Sequence, residues 1–209
     1  MAMFDWIVER NSEGVEAQGR PAAAGLLSGT RVATPRGWTP VEELNAGDEV
    51  ITFDHDVQEL RSISRRLYPG RRDASAKPLV RVPAGLLGND RPMMLMPGQG
   101  VIVESDLAEV TYGDPFALIT AEGLADLPGV EQMMPDVAIV AVTLSFDRDE
   151  IVFADGQSLI HCYGDGAIDP ADLQQAVIGT EGSYRMLDGA EARLLAADMI
   201  QSVGAARAS

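Results

Sequence analysis

The sequence predicts a mainly β domain over residues 25–160, preceded by a lead-in or linker at 1–24 and followed by a C-terminal helical extension at 161–209. Two observations support this division. Between Gly25 and Gly156 the apolar stretches are short and are separated by Gly, Pro, Asn or Asp, which is typical of strands joined by turns. After Asp169 the apolar spacing changes to that of helices. The expected architecture is therefore one β domain with trailing helices.

The strand signal is carried by short segments bounded by turn residues. They are Thr30–Thr34, Val41–Leu44, Glu49–Phe53, Leu79–Val82, Gly100–Val103, Val137–Leu144 and Glu150–Ala154. Many short strands with turn signals between them favour a strongly bent or closed sheet over parallel βαβ units.

Two helices are predicted in the extension, and a short amphipathic piece in the lead-in. Asp169 followed by Pro170 is typical of a helix start, and Ala171–Ile178 is rich in helix formers. A second helix is expected from Asp188 to about Val203, where the apolar residues share one broad face. In the lead-in, Phe4, Trp6, Ile7 and Val8 precede a linker rich in Gly, Ala and Pro.

The charge balance excludes some classes of partner. The chain has 209 residues, of which 32 are acidic and 16 basic, so its formal net charge is −16. Such a surface repels phosphate backbones and anionic lipid head groups, so we expect no nucleic-acid partner. No stretch approaches the roughly 18 uncharged apolar residues of a membrane span, so no membrane insertion is expected. The remaining expectation is that the partner is another protein.

Cysteine usage and the N-terminus bear on cofactors and compartment. One cysteine, Cys162, excludes an internal disulfide framework and a Cys-rich zinc site, and no cofactor is expected. Met1–Gly19 lacks the basic head and apolar run of a secretory signal. Two cellular locations therefore fit the sequence: the cytoplasm, or the outside of the cell after export without a cleaved signal peptide.

Residues 28–52, SGTRVATPRGWTPVEELNAGDEVIT, form the most informative block of the chain. Pro35-Arg36-Gly37 turns the chain, Val41 and Leu44 pack inward, and Gly47-Asp48 makes the turn into the next strand. This block resembles the opening of bacterial Hint (Hedgehog/intein) domains. That opening has a Gly-Thr start, a strand, a Pro-Arg-Gly turn, and then Val-Glu-Glu-Leu followed by Gly-Asp.

Further blocks agree with the same resemblance. Residues 83–89, PAGLLGN, and 146–156, FDRDEIVFADG, are similar to two later segments of the bacterial subfamily, and 191–195, EARLL, is similar to its C-terminal helix. The resemblance implies a compact fold of curved β-hairpins in a pseudo-twofold arrangement. It also implies a site at the first residue of the domain, where Hint domains cut or rearrange the preceding peptide bond.

That chemistry needs a Cys or Ser nucleophile at the first position and a His that protonates the leaving nitrogen. In this resemblance the family nucleophile aligns with Gly25, which has no side chain to attack with. The family catalytic His aligns with Gln99, which can hydrogen-bond but has no proton that titrates near neutral pH. A third family His aligns with Asp149. These departures predict loss of the standard reaction, so they favour a protein that is not an enzyme.

Other groups could supply a displaced reaction. Ser28 and Thr30 are nearby hydroxyls, although both fit turn and strand-start positions with no His close in sequence. His55 lies in an expected exposed hairpin turn. His161 and Cys162 are adjacent, so in an extended chain they point to opposite faces, which favours a buried structural thiol over a Cys-His pair.

Calcium is the metal for which the sequence contains candidate ligands. Residues 161–172 partly match a calcium-binding loop, with Asp165, Asp169 and Asp172 as the candidate ligands, but His161 and Tyr163 occupy places that normally hold oxygen ligands. A turn that leads into a capped helix explains the same residues. A second acidic group is interpreted as a solvated hairpin; it consists of Asp147, Asp149, Glu150 and Asp155.

Three hypotheses on function follow. The first is a catalytically inactive Hint-like module that acts as a structural or protein-binding subunit. The second is a self-processing domain that uses Ser28 or Thr30, and the third is an exported acidic protein that binds calcium. For the first, we expect the old cleft to be filled by small or apolar groups such as Gly25, Met96, Gly98 and Gly100. Phe4 or Trp6 of the lead-in is expected to cover it.

Overall fold

The computed structural model describes residues 24–71, 73, 76–164, 187, 189, 191–192 and 194–195, and within them the chain is mainly β. The described strands are β1 (Leu26–Leu27), β2 (Arg31–Thr34), β3 (Gly37–Pro40), β4 (Glu49–Ile51), β5 (Val57–Glu59), β6 (Ser62–Tyr68), β7 (Leu79–Val82), β8 (Met93–Leu95), β9 (Gly100–Glu104), β10 (Phe116–Thr120), β11 (Glu131–Met133), β12 (Ile139–Ser145), β13 (Glu150–Ala154) and β14 (Ser158–Cys162). The helices whose bounds are described are α1 (Asp106–Tyr112) and two short 3-10 helices, Val41–Glu43 and Ala121–Leu124. The predicted mainly β class is confirmed.

The described strands form two six-stranded sheets and one small hairpin, and every described pairing of strands is antiparallel. The first sheet has the order β11-β7-β8-β1-β12-β6, and the second has the order β10-β9-β14-β13-β2-β3. The hairpin pairs β4 with β5. β1 lies inside the first sheet, between β8 and β12, so the residues before it enter the domain next to a central strand. The pseudo-twofold arrangement stays a prediction.

Central strands of both large sheets carry buried apolar side chains on both faces. Side chains alternate between the faces of a strand, so neighbouring residues belong to different clusters. Leu26 and Val142 belong to the main core cluster, whereas their neighbours Leu27 and Ala141 belong to a second cluster of buried residues. The main cluster combines residues of both sheets. Strands covered on both faces give nearly continuous apolar runs in the sequence instead of clean alternation.

The predicted strand Val41–Leu44 is wrong. Val41–Glu43 is a 3-10 helix that closes with a hydrogen bond from the Leu44 N–H to the Val41 carbonyl oxygen. Val41 and Leu44 are both fully buried, as expected. Residues three apart lie above one another in a 3-10 helix but on opposite faces of a strand, so the helix lets both side chains enter the core.

The predicted C-terminal helices lie mostly outside the described residues. Ala171–Ile178 is wholly outside, and of Asp188–Val203 only single positions are described, with helical backbone at 189, 191–192 and 194–195. Among these, Ala192 and Leu195 are buried in the main core cluster. The lead-in before Ala24, with Phe4 and Trp6, is also outside the described residues. In the described part of the chain, no helix has the length and apolar character needed to cross a bilayer.

Candidate functional site around Gly25

The peptide group that joins Ala24 to Gly25 is buried at the entrance of β1. Ala24 is 8% exposed and Gly25 is buried. Next to it, Leu26 pairs with Val142 of β12 on one side and with Leu95 of β8 on the other. Because β1 is a central strand, this peptide group is enclosed by protein on two sides.

Gln99 holds the nitrogen of this peptide group. Its Oε1 accepts a hydrogen bond from the Gly25 N–H at 2.8 Å, and its Nε2 donates to the carbonyl oxygens of Gly100 at 3.0 Å and His161 at 2.8 Å. The side chain is 2% exposed. The amide orientation follows from this network, since only its oxygen can accept from an N–H. Gln99 therefore forms three buried hydrogen bonds in one fixed orientation.

Arg66 holds the oxygen of the same peptide group. Its guanidinium lies on β6 and donates from Nη2 to the Ala24 carbonyl oxygen at 2.6 Å. Burial lowers the pKa of Arg66 below its usual value, and the charge interaction with Tyr68 acts in the opposite direction. Arginine nonetheless remains a cation in proteins. The carbonyl of Ala24 therefore faces a partly desolvated positive charge, which polarises it more strongly than water would.

The remaining space at this position is very small. A cavity lined by Ala24, Gly25, Gln99, His161 and Cys162, among others, has a free volume of about 10 Å³. That is about the space that a single water molecule needs. The expectation of a filled cleft agrees with this volume.

Gly25 has a backbone conformation that disfavours any side chain. Its φ is +142°, and a Cβ built on it would lie 3.2 Å from the Val142 carbonyl oxygen and 3.3 Å from the Thr143 hydroxyl. These distances are short for a carbon that cannot donate a hydrogen bond, and L residues rarely adopt this φ. The chain is therefore adapted to glycine here, and a side chain added at this position would be strained and would press on its neighbours.

His161 and Asp149 form a pair that the sequence analysis missed. The His161 Nε2 lies 3.0 Å from Asp149 Oδ2, and the imidazole is 4% exposed. Its Nδ1 is buried and has no hydrogen-bond partner among the described residues. The Asp149 carboxylate thus orients the imidazole through Nε2, and no nucleophile lies at position 25. A local signal exists in the sequence: a hairpin that turns at Gly156 brings His161 opposite Ile151, which is two residues from Asp149.

Cys162 and His161 point to opposite sides of β14. Cys162 belongs to the main core cluster, together with Ile160, and is 6% exposed. Leu159, two residues before His161, packs instead on a separate cluster with Ile151. The expectation of a buried thiol agrees with this arrangement.

The fallback hydroxyls do not lie in the cavity. Among the described residues that line it, neither Ser28 nor Thr30 occurs. The Ser28 side chain hydrogen-bonds to the carboxylate of Glu42, which also accepts from the Gly29 N–H at 2.9 and 3.1 Å. The pKa of Glu42 is lowered. A carboxylate with a lowered pKa is a weaker base, so it is poorly suited to activate Ser28.

Replacing Glu42 with glutamine should make stability less sensitive to acid. Burial acts to raise the pKa of Glu42, but the hydrogen bonds from the backbones of Gly29 and Glu42 itself and from Ser28 outweigh it. Because the folded pKa lies below the unfolded value of about 4.3, ionised Glu42 stabilises fully above that pH, and this contribution is lost as the pH falls through the folded pKa.

Urea denaturation from neutral pH to about pH 3 measures this effect, which should stay below about 1 kcal/mol because Glu42 is only partly buried. The free-energy difference between the wild type and Glu42→Gln should shrink as the pH falls. Glu43→Gln, at an exposed neighbour, is the control. A Glu42→Gln difference that is constant over this range would contradict the assignment.

The interpretation of the second acidic group as a solvated hairpin is wrong for two of its members. Asp147 and Asp149 are exposed, but Glu150 is 1% and Asp155 2% exposed. Glu150 Oε2 lies 3.0 Å from Nδ1 of His55, and Asp155 binds two arginines. Glu150 faces the core because Val152 and Ala154, two and four residues later on the same strand, face it too.

Metal ligation finds little support in the described part of the chain. No group of three or more His, Cys, Asp or Glu side chains is close enough together there to hold an ion. The calcium candidates Asp165, Asp169 and Asp172 lie outside the described residues, so calcium binding stays a prediction.

Comparison with known proteins identifies one matching family. The Hint domain family matches residues 24–159, more than half of the 209-residue chain. No curated protein sequence is significantly similar to this chain.

Several solved structures are also similar to this chain. The solution structure of a bacterial intein-like domain from Clostridium thermocellum is 13% identical, with a TM-score of 0.45, over 66% of this chain and 98% of its own. The crystal structure of the MchDnaB-1 intein is 15% identical, with a TM-score of 0.40, over 65% and 98% of the two chains. That of the gp41-1 intein is 12% identical, with a TM-score of 0.41, over 67% and 98%.

Proposed function

Because the chain belongs to the Hint domain family, we propose that it is a Hint module that retains its N-terminal flank uncut and serves as a structural or protein-binding unit. The observation that carries this proposal is the Ala24–Gly25 peptide group. Both of its polar atoms are held, by Arg66 and Gln99, while position 25 offers no attacking atom.

The missing nucleophile matters more than the other departures. Acyl transfer to a side chain needs an atom that forms the new bond to the Ala24 carbonyl carbon, and electrostatic stabilisation cannot replace that atom. The positive φ of Gly25, which L side chains rarely adopt, and the closeness of the Val142 carbonyl oxygen to the place where a Cβ would lie support a site that has adapted to the loss.

Gln99 supports retention in a second way. In Hint chemistry as the family implies it, a His at this position contacts the scissile amide and protonates the leaving nitrogen. Gln99 makes a contact to the Gly25 N–H but supplies no titratable proton. The contact therefore favours binding of the peptide group over cleavage, and Arg66 adds a charge-assisted hydrogen bond to the same group.

The purified chain is expected to keep its full mass of 22.3 kDa during a day at neutral pH, with or without dithiothreitol. Thiols release the flank only if a thioester forms first, and position 25 cannot form one. Intact-mass spectrometry measures this directly. A fragment that begins at Gly25, Ser28 or Thr30 would refute the proposal, and Ser28→Ala and Thr30→Val variants would then identify the nucleophile.

Restoring the nucleophile tests whether its absence is what keeps the flank uncut. Gly25→Cys is expected to destabilise the domain by about 1–3 kcal/mol, because of the positive φ, and to leave the chain uncut while Gln99 is present. The double variant Gly25→Cys with Gln99→His restores both groups. Thiol-dependent cleavage in the double variant alone would support the assigned roles, whereas efficient cleavage in Gly25→Cys would show that Gln99 does not limit the reaction.

A further inference from the structure

The outer face of the second sheet carries a continuous row of apolar side chains. Residues directly opposite one another in antiparallel strands point to the same face. Phe153 pairs with Leu159, Leu159 with Ile102, and Ile102 with Leu118, so one row crosses β13, β14, β9 and β10. Ile102, Leu118 and Ile151 are buried in a cluster separate from the main core, with Leu159 packed against it. The row therefore lies on the face that points away from the main core.

A concave surface, which we call the Phe53 pocket, lies over this row. Its floor is Ile102 and Leu159, and its walls are Phe53, Phe116, Phe153, Leu86, Leu87, Gly88 and Gln157. Phe53 contacts Phe116 edge-on at 5.7 Å and Phe153 at 6.1 Å between ring centroids. The cavity volume is about 410 Å³, near the lower end of ligand pockets. This size suits one large side chain better than a large cofactor.

The rim of the pocket is apolar yet open to solvent. Phe53 is 42% and Phe116 is 36% exposed. Exposed aromatic rings that surround a concave apolar floor are typical of interaction sites, because they provide large contact areas at little cost in side-chain entropy. Anchoring residues of interfaces occupy such pockets.

The charge of the pocket selects among possible occupants. Its lining contains one charged side chain, the exposed Glu104, which pairs with Phe116 across the strands and so shares its face. The chain as a whole carries a net charge of −16. Association with a second copy would bring two strongly acidic surfaces together, whereas a basic partner is attracted.

We propose that the Phe53 pocket binds a segment of a partner protein in which an aromatic or large apolar side chain is adjacent to Lys or Arg. The apolar side chain packs on Ile102 and Leu159 beside the Phe53 and Phe116 rings, and the cation lies against Glu104. This inference deepens the proposed protein-binding role and rests on it. The lining of the pocket shares no residue with the cavity at Gly25.

Two blocked dipeptides are suitable probes, acetyl-Trp-Arg-amide and its counterpart acetyl-Trp-Glu-amide. Titrated into the full chain, the first should shift the NMR methyl signals of Leu86, Ile102 and Leu159 and leave Leu67 of the first sheet unchanged. The second should bind roughly two- to fivefold more weakly, the difference expected for one exposed charge pair.

Variants separate the pocket from general surface effects. Phe116→Ala and Phe53→Ala should each weaken binding of the Arg peptide at least about tenfold. Trp38→Ala is the matched control, since Trp38 has the same 42% exposure as Phe53 but lies on β3, at the other edge of the sheet. Glu104→Gln changes an exposed side chain with little risk to folding, and it should reduce the preference for the Arg peptide.

The proposal is overturned if neither peptide shifts the three pocket methyls at millimolar concentration. It is also overturned if Trp38→Ala weakens binding as much as Phe116→Ala does, or if Glu104→Gln leaves the preference unchanged. Intact mass is measured on the same samples. Cleavage there would refute flank retention, whereas absence of binding by an uncut chain would refute the pocket alone.

Discussion

Replacing Gln99 with leucine is expected to lower the free energy of unfolding by about 2–4 kcal/mol, although the two side chains have similar size. Leucine removes the acceptor of the Gly25 N–H and the donor to the carbonyls of Gly100 and His161. Gln99 is 2% exposed, so water cannot easily replace these bonds. Buried polar groups that lose their partners cost more than the lost hydrogen bonds are worth on average.

Urea denaturation followed by circular dichroism measures this loss. Gln58→Leu is the matched control, because the Gln58 amide donates to the His55 carbonyl oxygen at the surface and should contribute less than about 1 kcal/mol. Hydrogen exchange of the Gly25 amide adds a local readout: the amide should be protected in the wild type and exchange faster in Gln99→Leu. Equal destabilisation by the two leucine variants, with unchanged exchange at Gly25, would show that Gln99 does not hold this peptide group.

Replacing Asp155 with asparagine should destabilise the domain by about 1.5–3 kcal/mol, because a buried carboxylate loses its charge while two arginines remain. Asp155 is 2% exposed, and its Oδ1 lies 3.2 Å from Arg31 Nε, 3.0 Å from Arg91 Nε and 2.8 Å from Arg91 Nη2. Both arginine side chains are partly exposed, at 35% and 45%, which reduces the expected loss. Since Arg91 also donates to the Gly29 carbonyl oxygen, the carboxylate links the turn after β13 to the approach to β2.

A second substitution separates charge from backbone conformation. Asp155 has a φ of +44°, which asparagine tolerates and alanine does not, so Asp155→Ala should cost about a further 1 kcal/mol or more. The control is Asp147→Asn: the Asp147 side chain is 73% exposed and that of its partner Arg61 is 60% exposed, so the effect should stay within about 0.5 kcal/mol. If Asp155→Asn proves as mild as the control in urea denaturation, the buried ion pair does not stabilise the fold.

Local signals in the sequence were sufficient for some elements and absent for others. Leu79–Val82 and Glu150–Ala154 were predicted with correct bounds, because Pro or Asp-Gly pairs mark their ends. Ser62–Tyr68 was missed: it is the edge strand of the first sheet, and most of its side chains are exposed, so it lacks the apolar run of a strand. Its pairing with β12 makes it a strand.

The helix α1 was missed for a different reason. Its signals are present in the sequence: Ser105 accepts a hydrogen bond from the Ala108 N–H at the start, and Gly113 ends it with a positive φ. Helices this short depend on their surroundings, since isolated helices below about 12 residues are marginal in water. Ala108 is fully buried in the main core, which supplies that support.

The sequence by itself determined the Hint family, the mainly β class and the absence of a side chain at position 25, because these depend on residue identity and local spacing. Only the tertiary structure decided what surrounds that position. Arg66 and Gln99 are distant from Gly25 in sequence, and they meet its peptide group because β1 lies between β8 and β12, with β6 next to β12. The apolar row under the Phe53 pocket likewise depends on the register between β14 and β9, two strands that are distant in sequence. No turn joins such strands directly, so the packing of their faces sets the register and a local pattern in the sequence does not.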